Sequence, residues 1–306
     1  MNAVWSSLGS YLVAFAVWPG LLLAAPLGWL ELWFMRKLVA RLQGRQGPPF
    51  FQPFFDFMKL LGKETVIPRG VNRGIFLALP VVSVAAVTAA LAIVPLPGNP
   101  APSLPGDVVL LLYLMEVPIL CEVLAGYVSR SIYGQVAAMR EALLSLAYNL
   151  PFLVAIIAMA QEAGSFQMSA LQAAPSGLVH LLAAVTFLLA LPARMKLNPF
   201  SIANAEHEIV ADSHIEYSGP PLALFKLSHA VELVLLTELF AVVFIPATPW
   251  PLVNLLVYLA AGVAVLGGVT LLATATARLR LTQAFRFYWV WGGLASAVTL
   301  AATLVR

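Results

Sequence analysis

Eight apolar runs dictate what this chain can fold into. They lie near residues 8–34, 74–95, 107–127, 136–160, 176–193, 221–246, 251–274 and 285–304. Crossing a hydrocarbon layer takes about 20 residues at about 1.5 Å each, a length these runs approach or exceed. A hydrophobic fraction of 61% and a mean hydropathy of +0.91 lie far outside the globular range of about 45–50% apolar. The chain therefore reads as an all-α polytopic membrane protein: a single transmembrane domain over 1–306 with eight transmembrane helices. No Lys or Arg precedes the first run, so that run is expected to be a retained span rather than a cleaved signal.

The connectors alternate in charge. Those after the odd runs hold eight cations at 36–73, then Arg130 and Arg140, Arg194 and Lys196, and Arg278, Arg280 and Arg286. Those after the even runs hold none. With Lys226 at the inner end of the sixth run, 16 of the 17 Lys and Arg fall on one side, leaving Arg306 across. The positive-inside rule then makes the odd-numbered connectors cytoplasmic in a cell-membrane protein, with both termini outside. The net charge of +3 is a product of this topology and gives no support to nucleic-acid binding. Cys121 is the only cysteine, so the chain forms no internal disulfide and cannot by itself supply the cysteine sets of iron-sulfur or nickel-iron centres.

The densest charged stretch is 36–73. Within it Gln52, Asp56, Lys59 and Lys63 fall at i, i+4, i+7 and i+11, one polar stripe on a helix otherwise rich in Phe and Leu. Such a helix lies flat at an interface instead of crossing it. A plain positive-inside loop explains the cations of Arg36 and Arg45 equally well. It does not explain the stripe, which is expected to face a partner or a polar chamber while the Phe-rich remainder is buried against spans and lipid.

Acids inside spans cost at least about 2.5–3.5 kcal/mol at a helix centre, so each is a functional candidate. Counting along the runs puts Glu31 at the cytoplasmic end of the first, Glu141 about two turns into the fourth and Glu122 in the inner part of the third. Glu116 and Glu232 come out near mid-membrane, and Glu238 further out. That is a ladder suited to proton or cation hops; the alternative is a set of neutral or Arg140-paired acids that fix packing. His180 and His229 fall at opposite ends of their spans, which argues against a bis-histidine haem. His229 and Glu232 share one helix face, where a hydrogen-bonded pair is expected. The fifth connector crowds Glu206, His207, Glu208, Asp212, His214 and Glu216 together without tight metal-ligand spacing, and reads as an ordered docking surface.

Three runs carry a resemblance. GRQGPPFFQPFFDFMKLLGKE, YVSRSIYGQVAAMREALLSLAYN and NPFSIANAEHEIVADSHIEYSGPPLALFKLSHAVE resemble the signature regions of the complex I subunit 1 family. The Gly47-Pro48-Pro49 and Glu206-His207-Glu208 versions look most like the membrane anchor of group 4 membrane-bound NiFe hydrogenases, of the formate hydrogenlyase and energy-converting type. The resemblance implies no catalytic, cofactor or metal residue in this chain. It implies a NiFe centre and 4Fe-4S clusters in partners: a NiFe hydrogenase-like large subunit, a small iron-sulfur subunit and a ferredoxin-like iron-sulfur subunit, beside antiporter-like membrane subunits in the bilayer.

By the same resemblance Glu31, Arg36, Arg45, Gln52, Pro53, Asp56 and Lys59 cradle the hydrophilic arm, with Lys63 continuing that surface. Arg140 and Glu141 adjoin the chamber that holds quinone in complex I, and Glu206, Glu208, Asp212 and Glu216 lie in a redox-responsive loop. The expected ion pathway comprises Glu31, Glu116, Glu122, Arg140, Glu141, His229, Glu232 and Glu238. Asn149 and His229 stand where the family pattern offers acids. Two other functions compete: a quinone-chamber subunit of complex I itself, and a stand-alone secondary transporter, which the lack of an internal repeat disfavours.

Overall fold

The computed structural model describes residues 2–99, 103–174, 176–202 and 213–305. The first span is broken. Helix α1 (Asn2–Ala16) ends at a tight turn, and α2 (Leu21–Leu42) resumes beyond it. At Gly20 an added Cβ would collide with the Phe15 carbonyl group, so the turn requires glycine. The amphipathic α3 (Gln52–Leu61) follows, as the polar stripe predicts. Asn72 caps α4 (Arg73–Ile93) by accepting hydrogen bonds from the Gly74 and Ile75 amides. Then come α5 (Asp107–Val128), α6 (Ile132–Ala163), the short α7 (Met168–Gln172), α8 (Leu178–Arg194), α9 (Gly219–Phe244) and α10 (Pro251–Ala275). The last span comprises α11 (Leu281–Phe287), a π-helical turn at Tyr288–Gly292 and α12 (Gly293–Leu304). Among the described residues, seven segments are long and apolar enough to cross a membrane, and α8 is a shorter apolar helix that completes eight.

Helices α4, α5, α6, α8 and α9 pack edge to edge and close into a ring. Because the apolar residues of α9 are spread around all its sides, it can be buried almost throughout: α4 and α8 flank it in the ring while α2 and α10 cover its outer side. A buried hydrogen bond of 2.7 Å between Ser83 and Ser228 ties α4 to α9. Small residues let α2 approach: a Cβ on Gly28 would run into the Ala230 carbonyl oxygen. On the far side α12 rests on α6 and α8, with Gly292 of the π turn against Pro151.

The two ends of the bundle are also distinct in contacts. At one, Trp18 donates to the Pro97 carbonyl, Asp107 accepts from the Met168 amide and Gln172 donates to Tyr258. At the other, here termed the cationic end, residues 64–66 bond to Ser218 and the Leu279 amide bonds to the Pro199 carbonyl. Five of the helices, α2, α4, α5, α6 and α8, contain an interior proline.

The Gly28 crossing sets an expectation. Gly28→Ala forces α2 off α9 and destabilises the chain by about 1–3 kcal/mol, read as a lower Tm in detergent. Gly267→Ala on α10, where an added Cβ meets nothing within 4 Å, leaves Tm unchanged or raised.

Candidate functional site

Arg194 is the last residue of α8, and its side chain has 0% exposure. A sealed guanidinium is tolerated only when its donors and charge are answered. Here Nη1 donates to Glu116 Oε1 at 3.0 Å and to Asn149 Oδ1 at 3.0 Å, and Nη2 donates to the Met115 carbonyl at 2.7 Å. The guanidinium carbon lies 4.3 Å from the centre of the Phe152 ring, and Nε lies 3.9 Å from Glu232 Oε1. Asn149 also donates to Glu116 Oε2 at 2.6 Å. Thus α5, α6, α8 and α9 meet in one ionic node inside the ring.

Local sequence explains why this node can form. Pro118 stands two residues after Glu116, Pro151 two after Asn149 and Pro192 two before Arg194. Each proline lacks the amide donor and opens the helical ladder beside it. In lipid such openings persist only where neighbours supply other partners, and the Met115 carbonyl, in the turn before Pro118, accepts from Arg194.

Helix α8 is also short. Its 17 residues span roughly 26 Å, less than a hydrocarbon core of about 30 Å. The chain leaves it still inside the bundle, and Met195, Phe200 and Ile202 are buried. Lys196 adopts φ +55°, uncommon for a residue with a side chain, and its ammonium pairs with the buried Glu122 of α5.

These positions revise the expected ladder. Arg194 and Lys196 are not exposed connector cations: Arg194 ends α8, Lys196 follows it, and both point into carboxylates within the bundle. Nor is Glu31 at the cationic end. The helix that carries it runs on to Leu42, and Glu31 accepts a 2.9 Å hydrogen bond from Thr237, next to Glu238 on α9. The acids therefore form two groups: Glu116, Glu122 and Glu232 with Arg194 and Lys196, and Glu31 with Thr237 and Glu238. Glu141 is buried on α6 about two turns from Tyr148, and Arg140 beside it is half-buried.

The polar stripe of α3 splits as well. Gln52 donates to Asp56 at 2.8 Å and Arg36 donates to Asp56 at 3.2 Å, whereas Lys59 is exposed and Lys63 lies exposed beyond the helix. Trp29 packs on Phe54 and Phe57, but Phe55 and Met58 are exposed, so the aromatic remainder is only partly buried within the chain. Between α2, α3 and α9 lies a cavity of about 340 Å³ that reaches Arg36, Asp56, Lys226 and His229. A second, of about 570 Å³, also reaches Arg36 and His229, together with Arg45 and Lys196.

The first and third charged connectors are latched together. Ser218 Oγ accepts from the Val66 amide at 2.9 Å and donates to the Glu64 carbonyl at 3.1 Å. At Gly219, with φ +62°, a Cβ would lie 2.7 Å from the Lys63 and Glu64 carbonyl oxygens. Tyr217 stacks on Phe76 with ring centres 3.9 Å apart, and burial pushes its hydroxyl above the ordinary pKa. Glu216 is half-buried. Glu206, His207, Glu208 and Asp212 lie outside the described residues. Arg194, Lys196 and Thr237 had no place among the expected site residues. A helix-interior proline two positions from Glu116, Asn149 and Arg194 was the signal for the node.

The chain matches the family model described as NADH dehydrogenase over residues 13–304. It is similar to the H subunit of NADH-quinone oxidoreductase from Dehalococcoides mccartyi, at 29% identity over 271 residues, covering 85% of this chain and 77% of that one. A second such relative, an H subunit of NADH-quinone oxidoreductase from Syntrophobacter fumaroxidans, is 32% identical over 290 residues, covering 88% and 86%. Among solved structures the chain is similar to a component of the membrane-bound sulfane sulfur reductase (MBS), an archaeal respiratory membrane complex. The TM-score is 0.87 and the identity 29%, over 96% of this chain and 99% of that one.

Removing the node's cation tests its energetics. Arg194→Met leaves Glu116 and Glu232 without their buried counter-charge and lowers stability by about 3–5 kcal/mol, read as a fall in Tm. Adding Glu116→Gln restores part of the loss, since the two residues are directly coupled. Arg194→Lys does not, because an ammonium cannot serve Glu116, Asn149 and Met115 with one planar fork.

Proposed function

We infer the function of this chain from its family: it belongs to the NADH dehydrogenase family and is a membrane subunit of a complex I-like respiratory complex. Within such a complex we assign it the role of membrane anchor and coupling subunit in an energy-converting assembly of the NiFe hydrogenase type. It docks a hydrophilic arm at its cationic end and links electron transfer there to H⁺ or Na⁺ movement. The arm comprises a NiFe hydrogenase-like large subunit, a small iron-sulfur subunit and a ferredoxin-like iron-sulfur subunit, which hold the NiFe centre and the 4Fe-4S clusters. Antiporter-like subunits lie beside it in the cell membrane, with the odd-numbered connectors cytoplasmic and both termini outside. The Gly47-Pro48-Pro49 turn and the Glu206-His207-Glu208 run favour this branch.

One observation carries the coupling role. Arg194 and Lys196 belong to a single chain segment, 194–202, that runs from the buried node toward the cationic end and there bonds to Leu279. Displacing that segment moves two cations against Glu116, Glu122 and Glu232. Such movement changes which carboxylates hold protons. The latch of Ser218 onto 64–66 makes the first and third charged connectors one mechanical surface, against which an arm can act. Exposed Lys59 and Lys63, with the half-exposed Arg36–Asp56 pair, supply the charged rim of that surface.

A second reading shares the anchor and changes the arm. The likeness to the sulfane sulfur reductase complex favours a sulfur-reducing arm on the same membrane subunit. Assays of the purified complex for hydrogen evolution, sulfane sulfur reduction and quinone reduction separate the readings, the first being expected.

Two variants test the role itself. Lys59→Glu reverses an exposed charge on the outer face of α3, and is expected to release the soluble subunits during affinity purification while the membrane chain remains. Glu232→Gln is expected to retain electron transfer but lose ion uptake in proteoliposomes; full coupling in both Glu141→Gln and Glu232→Gln sinks the assignment.

A further inference from the structure

The second acidic group lies apart from the arginine node. Glu31 on α2 and Glu238 on α9 line one partly open cavity of about 280 Å³, with Trp33, Phe34 and, from α10, Gly262 and Leu266 among its other walls. Glu238 is 5% exposed, and its Oε2 has no hydrogen bond among the described residues; nor has Oε2 of Glu31. Among the described residues no Lys, Arg or His lines this cavity. The packed elements supply no counter-charge either. Helix α10 contains no charged residue, and its one tyrosine, Tyr258, is bonded to Gln172. On α9 the next acid, Glu232, is held by Arg194, and on α2 the next cation, Arg36, is held by Asp56. The two carboxylates thus share one small, largely apolar space that no described cation of this chain enters.

Thr237 sharpens the point. Its Oγ1 lies 2.9 Å from Glu31 Oε1, 3.1 Å from the Leu233 carbonyl and 3.0 Å from the Val234 carbonyl. A hydroxyl has one proton for these three acceptors. The proton that Oγ1 gives to Glu31 leaves the lone pairs of the hydroxyl oxygen available, so a cation beside the pair can be met by that oxygen and by the unpartnered Oε2 atoms of Glu31 and Glu238. The donors are hard oxygens only. Mg²⁺ gives up its waters reluctantly and the remaining walls are apolar, so a monovalent ion, more easily dehydrated, fits best.

We propose that Glu31, Thr237 and Glu238 form a binding site for one Na⁺ ion in the cavity between α2, α9 and α10. The site deepens the coupling role by naming an ion, and rests on that role only for its physiological use, since binding is measured without electron transfer.

The test is equilibrium binding of ²²Na⁺ to the intact purified complex at fixed pH, with choline holding ionic strength constant. The wild type is expected to bind Na⁺ saturably, with excess Mg²⁺ competing poorly. Glu238→Gln and the shape-preserving Thr237→Val should each weaken this component by about 10- to 100-fold. Glu232→Gln should leave it intact. Because partner subunits can bind ions of their own, the readout is the component lost in the variants. Equal binding in wild type, Glu238→Gln and Thr237→Val overturns the site, as does a wild type that binds no Na⁺ and holds protonated carboxyls only. Either failure leaves the coupling role standing on the Glu232→Gln measurement.

Discussion

The buried charge of Arg194 is the constraint from which the interior of the ring follows. A guanidinium with no exposure must be matched by acceptors and negative charge from the neighbouring helices, and three of them supply these: Glu116 and the Met115 carbonyl from α5, Asn149 from α6 and Glu232 from α9. In an aqueous core, apolar burial would hold these helices together. In lipid that force is absent between helices, so small residues, polar bonds and close packing must do so. The node, the Ser83–Ser228 bond and the Gly28 crossing are three forms of the same solution.

Asn149 illustrates how the node selects its members. An acid at this position would add a third carboxylate around one cation. An amide instead donates to Glu116 through Nδ2 and accepts from Arg194 through Oδ1, at 2.6 and 3.0 Å. It closes the triangle without adding charge. The position bridges and does not titrate, and the titrating members of the node are carboxylates that each face a cation.

Much of the architecture was legible in linear sequence. The apolar runs located the spans, because a helix in lipid has no alternative that satisfies its backbone. The stripe from Gln52 to Lys59 located α3, because amphipathic spacing is a local property. What eluded a linear reading was depth. Arg194 sits at the end of an apolar run and reads as a connector cation; only the short length of α8 and the inward path of 195–202 turn it inside. Glu31 reads as the inner end of a span because the apolar character fades after residue 34, yet the helix continues to Leu42 and shifts Glu31 to the level of Thr237. Both errors have one origin. Position along a sequence measures depth only when the helix ends are known, and here a break at 17–20 and an early stop at Arg194 moved them.

The shortness of α8 has a consequence for how the protein enters the bilayer. Helices are threaded in chain order, so when α8 arrives the carboxylate of Glu116 and the amide of Asn149 are already in place, while Glu232 is still to come. A helix that ends in arginine before it has crossed gains its membrane position from earlier helices instead of its own hydrophobicity. Spans three and four thus act as the receptor for span five, and α9, the last of the five ring helices to arrive, closes the ring with Glu232 around a charge that could not have been left in lipid on its own.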